Sequence, residues 1–495
     1  MDGSRYARFR CCLVTAFHPS PGRPGLPVLH MRSMAARKLI GIGGFVGDLA
    51  EYQRDPLTWL QRVQPTEGDG ARLARGIVAV FEPDTVHRVL AETNTNFVID
   101  SGGIAGARGR RTRLARLPAW MQVRRELWRG FRDDIVDAHI ARSSQWLSPD
   151  VLNSPETGLV ETCRDLCGRG IADFCLGGDI RTQDLISDIH AAAKDLFASS
   201  YSAIDRAEAR VRWLPRPAAA AADSANRRLV ELLAECIELR ASTPRPAVPR
   251  DLLDVLLHDA EPRSKDQVLA VVRMSMFAAP GVPGVALSWL LLRLADHSEV
   301  RERVTAELGR SRLTAAGLSA EAAYTISVIR ETLRLHPPQW ILSRTAVRPT
   351  ELAGYRMKPG DEVIMCPYLL HRDHRYWTEP EHFDPDRWAG GVGAHRRHAY
   401  IPFGSGTRIC PGSHLGIVEM VLAARHITTA GNLRLPRLAQ VTSQFATLLQ
   451  PGDHRGAGIG HENASSTPVS RHVSRFVGRT LRGREPTRPS PRLTL

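Results

Sequence analysis

The residues best placed to do chemistry are Phe403-Gly404-Ser405-Gly406-Thr407-Arg408-Ile409-Cys410-Pro411-Gly412. One cysteine stands in a glycine-rich bend, just ahead of an apolar run from Leu415 to Ala424 with helical patterning. Gly404, Gly406 and Gly412 open backbone conformations closed to other residues, so the chain there can approach a flat ligand closely. A sulfur at the mouth of a helix faces free N–H groups, which stabilise the thiolate and lower its pKa. The chemistry on offer is that of a stabilised thiolate against a flat ligand. A buried cysteine beside an ordinary glycine turn is the plain alternative.

Two further spacings put polar groups on shared helix faces. Trp120-x-x-x-Arg124 sets an indole and a guanidinium one turn apart, in a stretch whose pattern is helical from Trp120 onward. Glu331-Thr332-Leu333-Arg334 pairs opposite charges at i and i+3, in a helix that ends before Pro337-Pro338 and stands 79 residues ahead of Cys410. Phe383-Asp384-Pro385-Asp386-Arg387-Trp388 follows.

The elements that must position these groups are mostly helical. Asp55-Pro56-Leu57-Thr58-Trp59-Leu60 reads as an early helix, Arg75 to Phe81 as a strand, and Pro83 to Leu90 as a short helix with proline in its first turn. Residues 101–117, rich in Gly and Arg, read as an exposed loop. Residues 155–245 read as several helices broken near Gly177-Gly178 and Pro215-Arg216-Pro217. Leu352 to Val363 reads as two strands around a Pro-Gly turn, with Arg344 on the preceding strand.

Met274 to Leu292 is nineteen residues without a charge, close to the roughly 20 apolar residues that span a bilayer. Pro280, Gly281, Pro283 and Gly284 crowd its centre, so a long buried central helix is expected and no membrane span.

The chain has 495 residues and a net charge of +14, which resembles a nucleic-acid signature until it is located. Residues 1–45 hold six Arg and one Lys against Asp2, and residues 451–495 hold eight Arg against Asp453, Glu462 and Glu485. Solvated, flexible tails are the plainer reading of this charge, so no nucleic-acid partner is expected. The expected organisation is a basic, disordered extension over 1–44, one domain over 45–450 and a basic, disordered tail over 451–495. Met31 and Met34 are alternative starts. Eight cysteines without a C-x-x-C pair suggest neither a disulfide scaffold nor a metal cluster, and fit a reducing, cytoplasmic setting. Cys163 and Cys167 are read as packing residues on one helix face.

The spacing F-x-x-G-x-R-x-C-x-G, followed back through E-x-x-R and W-x-x-x-R, resembles the cytochrome P-450 family over roughly residues 45–450. The resemblance implies a mostly α fold with small β-sheets, and haem b (iron protoporphyrin IX) held between the long central helix and the cysteine loop. It implies Cys410 as axial ligand of the haem iron. It also implies Trp120, Arg124, Arg344, Phe403 and Arg408 as cofactor-binding, the arginines toward the propionates. Glu331, Arg334 and Arg387 match the family's charge cluster behind the haem loop. A substrate-access lid falls around residues 195–225.

One departure bears on mechanism. The family's central helix usually carries A/G-G-x-D/E-T, which here falls on Ala278-Ala279-Pro280-Gly281-Val282. The acid position is Gly281 and the threonine position Val282, and neither can relay a proton. Pro280 and Pro283 each remove a backbone donor, so the helix should kink or open there, freeing carbonyls at Met276 and Ala279. The expected activity is monooxygenation of an apolar small molecule, by a monomer with a ferredoxin/ferredoxin reductase-type electron donor. Peroxide-driven or substrate-hydroxyl-assisted oxidation, or a catalytically silent haem protein, are the alternatives.

Overall fold

Two proline-started helices open the described chain. Asp55 caps α1 (Pro56–Glu67) by accepting from the Thr58 amide, and Glu82 caps α2 (Pro83–Ala91) through the Asp84 and Thr85 amides. The computed structural model describes residues 51–452, apart from 53, 100–105, 148–157, 206–216, 260–261, 279, 391–396, 430–434 and 436. The expected extension over 1–44, Met31 and Met34, and the tail from 453 onward lie outside the described residues.

Between and after these helices the chain builds β1 (Gly70–Ala74), β2 (Ile77–Val80), β3 (Phe97–Val98), β4 (Leu342–Ala346), β5 (Thr350–Leu352), β6 (Tyr355–Met357) and β7 (Glu362–Met365). Five of these form one sheet in the order β1-β2-β7-β4-β3. β2, buried at all four positions, pairs parallel with β7, and β4 runs antiparallel to β7 with Arg344 opposite Val363. The Pro-Gly turn does not join two paired strands. β5 and β6 form their own hairpin, turned at Ala353 and Gly354, both at positive φ. Gly360, at φ 99°, then sends the chain from β6 into the larger sheet as β7. Two adjacent positive-φ residues match the twist of a tight hairpin, whereas the Pro-Gly pair serves as a corner.

The helical layer carries α3 (Gly106–Gly130), α4 (Asp133–Ala141), α5 (Leu159–Leu176), α6 (Gln183–Asp205), α7 (Pro217–Ala241) and α8 (Leu252–His258). It continues with α9 (Lys265–Ala278), α10 (Val282–Asp296), α11 (Ser298–Leu308), α12 (Ala323–Leu335) and α13 (Ser413–Thr429). β8 (Ser443–Phe445) and β9 (Leu449–Pro451) close the described chain. α3 corrects the expected loop over 106–117, which is helical, while 101–105 lie outside the described residues. Its first turns are rich in Arg, Ala and Leu, strong helix formers that outweigh the glycines.

The central apolar stretch is two helices rather than one long one. α9 ends at Ala278 and α10 begins at Val282, with Pro280 and Gly281 in a turn between them. Residues Lys265–Asp296 are long and apolar enough to cross a membrane. In the fold, however, Trp289, Leu290, Leu291, Leu292 and Leu294 of α10 are fully buried in the protein core, as a core helix requires.

Candidate functional site

Four backbone features shape the cysteine loop. Gly404 and Gly406 take φ of 73° and 67°, and the Cys410 amide donates to the Phe403 carbonyl at 2.9 Å, closing the bend. A Cβ on Gly406 would lie 2.5 Å from the backbone of Leu90 and Ala91, so glycine is what lets the loop rest on the end of α2. The Gly416 amide bonds to the Gly412 carbonyl, opening the first turn of α13 just beyond the thiol.

The turn after α2 grips the loop from the other side. Thr407 Oγ1 donates to the Thr93 carbonyl at 2.7 Å, Arg408 Nε donates to Asn94 Oδ1 at 2.9 Å, and His87 Nδ1 lies 2.7 Å from Ser405 Oγ. His87, Thr93 and Asn94 were not legible in the sequence, since they sit more than 300 residues from the loop they hold. Asn94 at φ 84° is the one trace, because asparagine tolerates that region.

The pKa of Cys410 differs from the sequence expectation. Burial pushes the thiol up, and the Gly412 amide and Arg124 only partly offset this. The helix mouth alone does not bring the thiol below its ordinary value.

Three guanidinium groups gather beside the loop. Arg408 stacks over the Trp120 ring at 3.6 Å and Arg124 at 4.9 Å, while Arg124 Nη2 donates to the Ile409 carbonyl. Arg344 is buried and donates to Thr93 Oγ1 at 3.1 Å and to the Ser343 carbonyl. Burial and then Arg124 lower Arg408 to about 10, and burial and then Arg408 lower Arg344 to about 10. Among the described residues, the hydrogen-bond acceptors of all three are neutral. A crowded cationic cluster that lacks carboxylates, next to a thiol and over an indole, fits the two propionates and flat ring of a haem. Trp120, Arg124, Arg344, Arg408 and Cys410 would hold it. Phe403 contributes its carbonyl to the loop and packs its ring against the core.

Behind this loop, the Glu331 carboxylate is fully buried and accepts five hydrogen bonds. They come from Arg334 Nε and Nη2 (2.9 and 2.8 Å), Arg387 Nε, Trp388 Nε1 and the Asp384 amide (each 3.0 Å). Arg334 directs its other donors to the His371, Pro380 and His382 carbonyls. Burial alone would raise the Glu331 carboxyl, but the Arg334 bonds and charge hold it below its ordinary value. Such a saturated cluster specifies one arrangement of α12 against the Phe383–Trp388 segment.

At the break between α9 and α10, Gly281 has no room for a side chain: an added Cβ would lie 2.0 Å from the Phe197 ring of α6. Gly284 lies against the Arg164 backbone of α5. Val282 packs on the core. The carbonyl of Ala279 lies outside the described residues. Cys163, Cys167 and Cys175 are buried on α5, with thiols pushed up by burial, and no metal-ligating cluster occurs among the described residues.

A sequence model described as Cytochrome P450 matches residues 71–447. Germacrene A hydroxylase of Barnadesia spinosa is 33% identical over 204 residues, 38% of this chain and 40% of that protein. Cyclooctat-9-en-7-ol 5-monooxygenase of Streptomyces melanosporofaciens is 31% identical over 290 residues, 51% of this chain and 62% of that protein. The chain thus matches about half the length of these relatives. The crystal structure of the cytochrome P450DA heme domain superposes with a TM-score of 0.66 at 19% identity, covering 88% of this chain and 96% of that one, a likeness of fold. With the family's model matched across most of its length, and a mostly helical fold with small sheets, this chain belongs to the cytochrome P450 family.

Proposed function

We propose that this protein is a haem-thiolate monooxygenase that hydroxylates an apolar small molecule of terpenoid type, with haem b as its cofactor. The observation that carries the reading is the thiol of Cys410 in its glycine bend, beside guanidiniums of Arg124, Arg344 and Arg408 without carboxylate partners among the described residues. A haem ligated by a cysteine thiolate supplies oxidising chemistry, with electron density pushed toward O–O cleavage. The protein's own part is to hold and orient. Arg124, Arg344 and Arg408 supply charge for the propionates, Trp120 a flat wall, and the Glu331 cluster a rigid support behind the loop.

The relatives' names guide the substrate class: germacrene A and cyclooctat-9-en-7-ol are apolar hydrocarbon skeletons, the second already bearing a hydroxyl. Electrons come from a separate ferredoxin-type donor to a monomer in the cytoplasm. The test is a spectral-shift screen of the purified protein against terpenoids, followed by product analysis with ferredoxin and its reductase. Binding and oxidation of such a compound support the reading. No spectral shift and no product with any of them would sink it.

A second reading concerns how protons arrive. The acid and threonine positions are Gly281 and Val282, and Phe197 fills the space beside Gly281. This favours oxidation driven by peroxide, or assisted by a hydroxyl of the substrate itself. Comparing product yield with reductase and with added peroxide separates the two routes.

A further inference from the structure

The buried charges of α4, α5 and α13 form a second cluster apart from the cysteine loop. The Asp173 carboxylate of α5 accepts from Arg142 Nε at 2.8 Å and Nη2 at 3.1 Å, and lies 2.7 Å from His139 Nδ1. Arg142 is thereby committed to Asp173. His139 stacks on Trp146 at 5.1 Å with rings 3° from parallel, and its far nitrogen, Nε2, is buried with no partner. Facing it at 3.9 Å is Oε1 of Glu419, on α13, also buried without a partner. The Glu419 side chain is 5% exposed and lies against Gly170, where an added Cβ would come within 2.9 Å of Oε1.

Among the described residues no arginine or lysine pairs with Glu419. From α4 and the turn after it come His139 and Arg142, the latter held by Asp173. From α5 come Asp173 and the thiols of Cys167 and Cys175, raised by burial and, more weakly, by Glu419. Asp173 adds to burial in disfavouring the Glu419 anion, and among the described residues α10, α11 and α12, which also pack on α13, place no charged group within ion-pair distance of it. An ionised Glu419 would be an unpaired buried carboxylate beside another carboxylate, an arrangement that costs far more than protonation.

We propose that Glu419 is kept in this core as a neutral acid that hydrogen-bonds toward His139, forming a proton-dependent latch between α13 and the α4–α5 pair. The 3.9 Å gap is longer than a direct hydrogen bond, and a small turn of the Glu419 carboxyl closes it. The helix so latched is the one that begins at Ser413, immediately after the loop that carries Cys410.

The direction of the pH effect follows from the two states. Burial and then Asp173 push the Glu419 carboxyl up to about 8. In the unfolded chain a glutamate has lost its proton above roughly pH 4.5. The folded Glu419 carboxyl keeps its proton until about pH 8, so between these values the folded state binds more protons and loses stability as pH rises through the window. Above the folded value the loss is complete and the dependence ends.

The experiment uses the full haem-loaded chain. Infrared spectra of the wild type should contain a protonated-carboxyl band that is absent in Glu419→Gln and fades as pH rises past about 8. The wild-type thermal midpoint should fall by several degrees as pH rises from about 5 to about 8, and Glu419→Gln should remove that fall. Should Glu419→Gln not fold, the pH titration of the wild-type band decides alone. A wild type without a titrating protonated-carboxyl band, or a Glu419→Gln midpoint that falls in parallel with wild type, would overturn the latch.

Discussion

Glu331→Gln is the substitution whose cost the structure allows to be worked out. The change keeps the shape and one carbonyl oxygen but turns the other oxygen into an NH₂ group. Oε1 accepts three bonds and Oε2 two, so whichever way the amide turns, at least two donors lose their acceptor. Each stranded buried donor costs about 1–3 kcal/mol. Arg334, fully buried, also loses its counter-charge. The sum falls in the range of roughly 3–5 kcal/mol known for breaking a buried pair. Set against about 5–15 kcal/mol for a whole domain, that removes a large share of stability. The exposed pair Arg303–Asp386, at 2.9 Å, is the internal control, and Arg303→Ala should cost less than about 1 kcal/mol. The assay is chemical unfolding of the soluble protein, together with haem content per chain. For pH, the Glu331 carboxyl is held below its ordinary value, so its contribution is present above about pH 4.5 and is lost as pH falls through the folded value. A Glu331→Gln protein that is soluble, haem-loaded and within about 1 kcal/mol of wild type would refute the reasoning.

Other outcomes follow from the loop and the helix break. Gly406→Ala should abolish haem loading, because its Cβ meets the α2 backbone at 2.5 Å and its φ is 67°, while Gly416→Ala, with nothing within 4 Å, should leave haem loading intact. Arg408→Ala removes a stack on Trp120 and a bond to Asn94, and should weaken haem retention in a competition with apomyoglobin without unfolding the chain. Val282→Thr should raise product formed per electron pair with a hydroxyl-free substrate, since a positioned proton donor contributes about 10²–10⁴-fold where protons limit the rate. Gly281→Asp should not help, because Phe197 occupies the space its side chain needs; unchanged coupling in Val282→Thr would mean another group already delivers the proton.

The parts legible in the sequence were those whose information is local. The cysteine bend is written in closely spaced glycines with special backbone angles, and Glu331 and Arg334 lie one turn apart on one helix, so spacing alone exposes both. Proline and glycine likewise announced the interruption at residues 280–281. What the sequence hid depends on distant segments meeting. Thr93 and Asn94 grip a loop 314 residues away, Phe197 comes from another helix to close the space at Gly281, and Glu419 finds His139 only once α4 and α13 pack. The helical state of residues 106–117 in α3 was hidden for a different reason: glycine and arginine together suggest a loop by composition, although arginine favours helix. The strands either side of the Pro-Gly turn were legible, but their partners were not, because a turn signal says where the chain bends and not which strand it pairs with next.

The most direct test of the account is the absorption spectrum of the reduced protein under carbon monoxide, for wild type and Cys410→Ala. Among the described cysteines, Cys410 alone is not buried in the core, and it alone stands in a loop flanked by glycine and arginine. Wild type should show the red-shifted Soret band of thiolate ligation, and Cys410→Ala should lose it. A band that survives the substitution would mean that a different residue holds the iron, and would contradict the assignment on which the proposed function rests.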